Sequence, residues 1–325
     1  MKKKIALVTG GYSGEAVISY KSAQAIEKHI DSERWEYFYI DIRPEGWYYQ
    51  PPVGVMIPVD KNDFSIKVDG STIHFDAVLI ALHGTPGEDG KLQGYFDCIG
   101  IPYTSCDAAT SALTFNKRYT VAVASFAGLQ VANSLVLFKH NPFDVTTILS
   151  ALKLPYFVKP NNGGSSIGIS KVKEAEQLPD ALERAFKEDE QVLVEEFVSG
   201  REFTLGVFRS KGTVTVLPIT EIISKKEFFD YEAKYEGASD EITPAQVSET
   251  VAALLREAAR KAYSVFNCRG IVRMDYIYEE SSGKPYLLEI NTIPGQSEAS
   301  LVPQMVKAFG MSLKEFYSQL IEACL

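Results

Sequence analysis

Arg273-Met-Asp275 and, eleven residues further on, Tyr286-Leu-Leu-Glu289-Ile-Asn291-Thr-Ile-Pro294-Gly295 are the stretches whose reading decides the fold. Residues 271 to 278 and 286 to 291 are two apolar runs separated by Glu-Glu-Ser-Ser-Gly-Lys, the pattern of a β-hairpin. Side chains two apart on a strand share a face, so Glu289 and Asn291 point together and the hairpin sets Asp275 beside them. Two carboxylates and an amide oxygen framed by Ile, Leu and Tyr are costly to desolvate unless a cation neutralises them. Hard oxygen donors without Cys or His suit magnesium, and magnesium with so few protein ligands usually brings a nucleotide phosphate with it. An isolated Glu-x-Asn is most often a solvated strand edge; the apolar frame and the Arg two residues before the Asp favour a metal site.

The chain has 325 residues, 46% of them hydrophobic, enough to bury large cores in two or three domains. A net charge of -9 argues against nucleic acid or an anionic membrane as partner. Met1-Lys2-Lys3-Lys4 followed by an apolar stretch starts like a secretion signal, but the stretch stops at Gly10-Gly11 and reads as a first strand. No run of about 18 apolar residues is present to span a membrane. Cys98, Cys106, Cys268 and Cys324 are scattered, as expected in a reducing cytosol, and the histidines show no ligand spacing.

A strand at 5–9, a glycine turn and a helix over 16–28 open the chain, and strands near 35–40 and 77–81 flank a polar, hairpin-like excursion at 53–74. This alternation predicts an α/β N-terminal domain. Asp107 caps a predicted helix through 115, and another runs from 117 towards 128. Further helices are expected over 175–189 and 243–266, strands at 203–208 and 214–220, and a closing helix, with boundaries near 105 and 200.

Five other segments carry chemistry. Lys159-Pro-Asn-Asn-Gly163-Gly164-Ser165-Ser166-Ile-Gly168 follows a strand, and its backbone N–H groups can face phosphate oxygens, although it is not a Walker A sequence. Glu195-Glu196-Phe197-Val198, running on to Glu202, is either an adenosine seat or a linker with solvated glutamates. Glu15 and His83 close loops after the first and a later strand, at the edge where open α/β sheets bind ligands. Glu15 complements a helix dipole or binds an ammonium, while His83 taken alone reads as a satisfied loop residue. The irregular stretch 224–237 reads as a lid offering Lys234 and Tyr235 to a substrate.

In this order the segments resemble the ATP-grasp superfamily and, within it, the D-alanine–D-alanine ligases. The resemblance covers essentially the entire chain, through Gly10-Gly-x-Ser-x-Glu15, His83-Gly-x-x-Gly-Glu-Asp-Gly, Asn116-Lys117, the Lys159 loop, Tyr231-x-x-Lys234-Tyr235, the hairpin and Ser300-Leu-Val-Pro303. It implies a mixed α/β and α+β chain: an N-terminal Rossmann-like (pre-ATP-grasp) domain over 1–105 and a two-subdomain ATP-grasp fold. The small subdomain would span 106–199 with the phosphate-covering loop, and the large one 200–325 with the lid and magnesium site. The implied reaction is ATP-dependent joining of two D-alanines through D-alanyl phosphate, for peptidoglycan precursor synthesis. It would need ATP and two Mg2+, with Mn2+ able to substitute, in a cytoplasmic homodimer.

Placed where residues match, the resemblance implies that Lys117, Lys159, Ser165 and Ser166 hold phosphates. Glu195, Glu196, Phe197 and Val198 face adenine, and Glu202 takes the ribose. Asp275, Glu289 and Asn291 bind the metals. Glu15 binds the first ammonium, with His83 also on the substrate. Arg273 and the Gly295 N–H stabilise the oxyanion, and Lys234 and Ser300 hold the second carboxylate. Glu15, Ser165 and Tyr235 form a hydrogen-bonded trio, and Tyr235 favours an amine nucleophile. Glu196 stands where many relatives carry Lys, and Gln296-Ser-Glu-Ala replaces a commoner Met-Thr run. Two alternatives stay open: a ligase pairing D-alanine with D-lactate or D-serine, and a non-catalytic nucleotide-binding regulator.

Overall fold

The computed structural model describes residues 2–141, 143–164, 167–224 and 239–325. β1 (Lys3–Gly10), β2 (Trp35–Arg43), β3 (Gly46–Tyr49), β4 (Ile57–Asp60), β5 (Ser65–Val68), β6 (Ser71–Ile73) and β7 (Ala77–Ile80) form a seven-stranded sheet ordered β6-β5-β4-β3-β2-β1-β7. β1 runs parallel to both neighbours, with Leu7 between Tyr39 and Leu79. A parallel centre is covered on both faces, which is why Ile-Ala-Leu-Val shows no polar alternation. Ile5 and Leu7 pack with Ile26, Phe316 and Leu320, while Ala6 and Val8 pack with Phe64, Leu92 and Phe96. The polar excursion extends this sheet as the antiparallel strands β4 to β6.

β8 (Ser134–Phe138), β9 (Tyr156–Pro160), β10 (Ser170–Val172) and β11 (Gln191–Glu196) make a four-stranded antiparallel sheet ordered β10-β9-β11-β8. The helix Leu178–Glu188 buries Leu178, Ala181, Leu182 and Ala185 in the core beneath it, the i, i+3, i+4, i+7 stripe of an amphipathic helix.

β12 (Arg201–Ser210), β13 (Thr213–Val216), β14 (Thr220–Ser224), β15 (Ser239–Ile242), β16 (Ile271–Glu279) and β17 (Lys284–Asn291) form the third sheet, ordered β15-β14-β12-β16-β17, with β13 also on β12. The helix Glu249–Val265 sets Leu255, Ala259 and Ala262 in one core with Phe203, Leu205 and Met274.

Three sequence expectations shift. The run 214–220 is two strands, because Pro218 between them has no N–H for a ladder. The helix expected from 243 starts at Glu249, since Pro244 disfavours helix before it and Ser248 accepts the Val251 N–H at 3.3 Å as the cap. The closing helix is a pair, Leu301–Ala308 and Leu313–Cys324, divided at Gly310 with φ +84. The second of the pair carries Phe316 and Leu320 onto the first sheet, so the end of the chain completes the N-terminal core. Among the described residues no helix is long and apolar enough to cross a membrane.

Candidate active site

The hairpin forms as its alternation dictates. Val272, Met274 and Tyr276 turn into the core beneath the Glu249–Val265 helix, which leaves Arg273 and Asp275 on the opposite face. Across the ladder Asp275 stands opposite Glu289 and Arg273 opposite Asn291; Tyr276 then pairs with Leu287, so a bulge passes over Leu288. Facing carboxylates repel, and Arg273 resolves the conflict. Its Nη2 lies 2.9 Å from Asp275 Oδ2 and 2.9 Å from Glu289 Oε1, and its Nε donates to both Asp275 oxygens. Thr204 on β12 donates its hydroxyl to Asp275 Oδ1 at 2.9 Å.

Burial, and beside it the facing Glu289, hold the Asp275 carboxyl above its usual value against the pull of Arg273. Burial also opposes the Arg273 charge, but Asp275 and Glu289 more than reverse this and keep the guanidinium protonated. Asn291 Oδ1 accepts the Ile293 N–H at 2.9 Å, which turns the chain out of β17 towards Pro294 and Gly295.

These groups line a cleft of about 430 Å³ that also receives Glu15, His83, Lys117, Glu202, Gly295 and Ser300. Glu15 precedes the helix Ala16–His29 and sits between two glycine loops. A Cβ on Gly84 would lie 2.5 Å from its Oε2, and one on Gly164 would lie 2.8 Å from its Oε1. Lys117 opens the helix Lys117–Phe126, capped by the Asn116 side chain. Its N–H donates to Asn161 O and its Nζ to Gly163 O at 2.9 Å. Asn116 and Asp189 hold Asn162 in the same loop, so the glycine loop stays fixed up to Gly164. Gly295 abuts Ser300, whose Oγ bonds to Ser297 Oγ at 2.7 Å.

Other expected residues lie apart. Lys159 and residues 195–198 do not line this cleft. Lys159 Nζ instead bonds to Glu195 Oε2 at 3.2 Å, joining β9 to β11 with both side chains largely buried. Glu196 accepts the Lys153 N–H at 2.7 Å and the Asn133 side chain at 2.9 Å, so its carboxylate is held by the neighbouring loops. Lys171 Nζ lies 3.9 Å from the Phe197 ring centroid, and Phe197 packs against Phe157. Ser165, Ser166, Lys234 and Tyr235, and with them the trio and the lid, fall outside the described residues.

The sequence reading missed partners that the fold supplies. Glu88 Oε1 meets His83 Nδ1 at 3.3 Å, and Ser22 Oγ meets His83 Nε2 at 2.9 Å. The only forewarning was Ser19 and Ser22 one helical turn apart on an otherwise mixed face. Lys21 also lines the cleft, its signal being that same turn of helix. Among the described residues no group of three or more His, Cys, Asp or Glu side chains is placed to hold a metal ion.

A Rossmann-like sheet followed by two antiparallel sheets that enclose an acidic, lysine-flanked cleft is the ATP-grasp arrangement. The family model described as D-ala D-ala ligase N-terminus matches residues 4–106, and the one described as D-ala D-ala ligase C-terminus matches residues 117–322. The chain belongs to the D-alanine–D-alanine ligase family. It is 46% identical to the D-alanine–D-alanine ligase of Flavobacterium johnsoniae over 99% of both chains. It is 44% identical to that of Parabacteroides distasonis over 99% of this chain and 97% of the relative. Among solved structures, the VanG D-Ala:D-Ser ligase from Enterococcus faecalis superposes over 100% of both chains with TM-score 0.89 at 32% identity. The D-alanine–D-alanine ligase from Bacillus anthracis complexed with ATP gives 0.79 at 25% identity, over 99% of this chain and 97% of that one.

Proposed function

We propose that the chain joins two D-alanines at the expense of ATP, supplying the dipeptide for peptidoglycan precursors. The carboxylate of the first D-alanine takes the γ-phosphoryl group, giving D-alanyl phosphate and ADP. The amine of the second attacks the acyl carbon, the C–O bond to phosphate breaks, and phosphate leaves as the amide forms. The observation that carries this reading is the Arg273 clamp on Asp275 and Glu289 in the cleft that also holds Glu15.

Arg273 and the Gly295 N–H stabilise charge on the acyl and phosphoryl oxygens, a contribution that grows in a dry site. Glu15 receives the first ammonium, Lys117 and Glu202 take phosphate and ribose, and Ser300 with Lys234 holds the second carboxylate. Lys159 acts from the β9–β11 side, and residues 195–198 offer backbone to adenine. His83 meets substrate with Glu88 behind it. Ser165 and Ser166 cover the phosphates, and Ser165 joins Glu15 and Tyr235 in the trio. The donor set of Asp275, Glu289 and Asn291, all hard oxygens on one hairpin face, fits Mg2+. Bound there, the ion supplies charge neutralisation and orientation of phosphate oxygens.

The units 1–105, 106–199 and 200–325 are proposed as the substrate side, the phosphate-loop subdomain and the lid-and-metal subdomain. The four free thiols support a cytosolic setting, and the family resemblance supports a homodimer.

Two tests follow. Gly84→Ala places a methyl against Glu15 at a residue with φ +66. It should raise KM for the first D-alanine roughly tenfold, a partial loss of one charge-assisted hydrogen bond. An unchanged KM in steady-state assays removes Glu15 from that role. A panel of D-alanine, D-serine and D-lactate as second substrate, at neutral and alkaline pH, tests the nucleophile. The α-ammonium of a free amino acid loses its proton only in alkaline solution, whereas a hydroxy acid has no ammonium to lose, so dipeptide formation should gain on ester formation as pH rises. A flat ratio, or ester as the main product throughout, contradicts the choice of D-alanine.

A further inference from the structure

We infer that Ser22, buried behind the cleft wall, is a positioning residue that fixes both the tautomer of His83 and the Gly295 turn; this rests on the reaction proposed above. Ser22 has no exposed surface and does not line the cleft, whereas His83 and Gly295 do. Its Oγ accepts the Gln296 backbone N–H at 3.1 Å and lies 2.9 Å from His83 Nε2.

The proton positions follow from what each partner can do. The Glu88 carboxylate, 3.3 Å from His83 Nδ1, only accepts, so Nδ1 carries a proton. In neutral imidazole Nε2 is then an acceptor, and the Ser22 hydroxyl, already accepting from Gln296, donates its one proton there. One serine thereby holds the ring in its Nδ1–H form.

The same hydroxyl pins one of the two peptide planes that flank Gly295. The peptide unit joining residues 295 and 296 is planar, so pinning the Gln296 N–H fixes the plane that follows Gly295. The preceding plane is pinned too: Gln296 Nε2 donates to Pro294 O at 3.0 Å, and Tyr317 donates to Gln296 Oε1 at 3.3 Å. Pro294 C=O and Gly295 N–H are opposite ends of one trans peptide unit, so fixing the oxygen aims the N–H. With both planes held, the Gly295 N–H keeps one direction, as a preorganised donor requires.

The test compares Ser22→Ala and Ser22→Thr with the wild-type enzyme in D-alanine-dependent phosphate release. Ser22→Ala should lower kcat roughly 10- to 100-fold, the scale of a misaimed catalytic donor, with KM for ATP within about threefold. Ser22→Thr, which keeps the hydroxyl, should recover most of that loss. A Ser22→Ala enzyme with wild-type kcat, or a folded Ser22→Thr enzyme as slow as Ser22→Ala, overturns the inference. If Ser22→Ala does not fold, nitrogen NMR of histidine-labelled wild-type protein still decides: His83 should show protonated Nδ1 and unprotonated Nε2, and the reverse tautomer overturns it. Wild-type protein with no D-alanine-dependent release would instead retire the reaction itself, leaving the NMR result to stand or fall alone.

Discussion

Replacing Arg273 by Met will cut kcat by about 10³-fold or more, the scale set by cations that neutralise a transferring phosphoryl group. The side chain bridges Asp275 and Glu289, with its Nη2 2.9 Å from an oxygen of each. Steady-state kinetics checks this, and a loss below about tenfold would take Arg273 out of phosphoryl or acyl stabilisation. Stability should fall as well, by about 3 kcal/mol, the low end for breaking a buried pair because the Glu289 side chain keeps 42% exposure. The pH dependence has a definite sign. Burial and Glu289 already raise the Asp275 carboxyl, and losing the guanidinium raises it further. A carboxyl with a higher pKa folded than unfolded holds its proton more tightly when folded, so acid favours the folded state. The deficit in thermal unfolding is therefore smallest in acid, and it grows as pH climbs from the ordinary aspartate range through the raised value.

Asp275→Asn is the second large effect. The amide keeps the shape and can still accept the Thr204 hydroxyl, while Arg273 retains Glu289. Loss of the charge should cost at least about 10²-fold in turnover, at or beyond the upper range for perturbed metal shells. The Mg2+ concentration needed for half-maximal activity should rise, and the melting temperature should change little. Full activity at ordinary Mg2+ would remove Asp275 from the metal set.

What the sequence revealed and what it hid divide along physical lines. The hairpin was legible because a period-two apolar pattern broken by Ser-Ser-Gly fixes both the turn and the shared face of Glu289 and Asn291. That Arg273 spans two carboxylates was not, since it depends on register across strands. The same limit explains Lys159 and Glu195. Their pairing as an ion pair depends on antiparallel β9 and β11 lying side by side, which neither segment shows by itself. Glu196 is held by the Lys153 N–H and Asn133, contacts that come from loops distant in sequence. Ser22 reads as one polar position on the 16–28 helix, and its partners His83 and Gln296 come from loops far along the chain. The break at Pro218 follows from its missing N–H, and the helix start at Glu249 from the Ser248 cap.

Phosphate release from ATP and Mg2+, with D-alanine, L-alanine or no amino acid added, tests the reaction itself. Release is expected only with D-alanine, with a D-alanyl-D-alanine product by mass. Release that is indifferent to D-alanine, or ATP binding without release in all three, would contradict it.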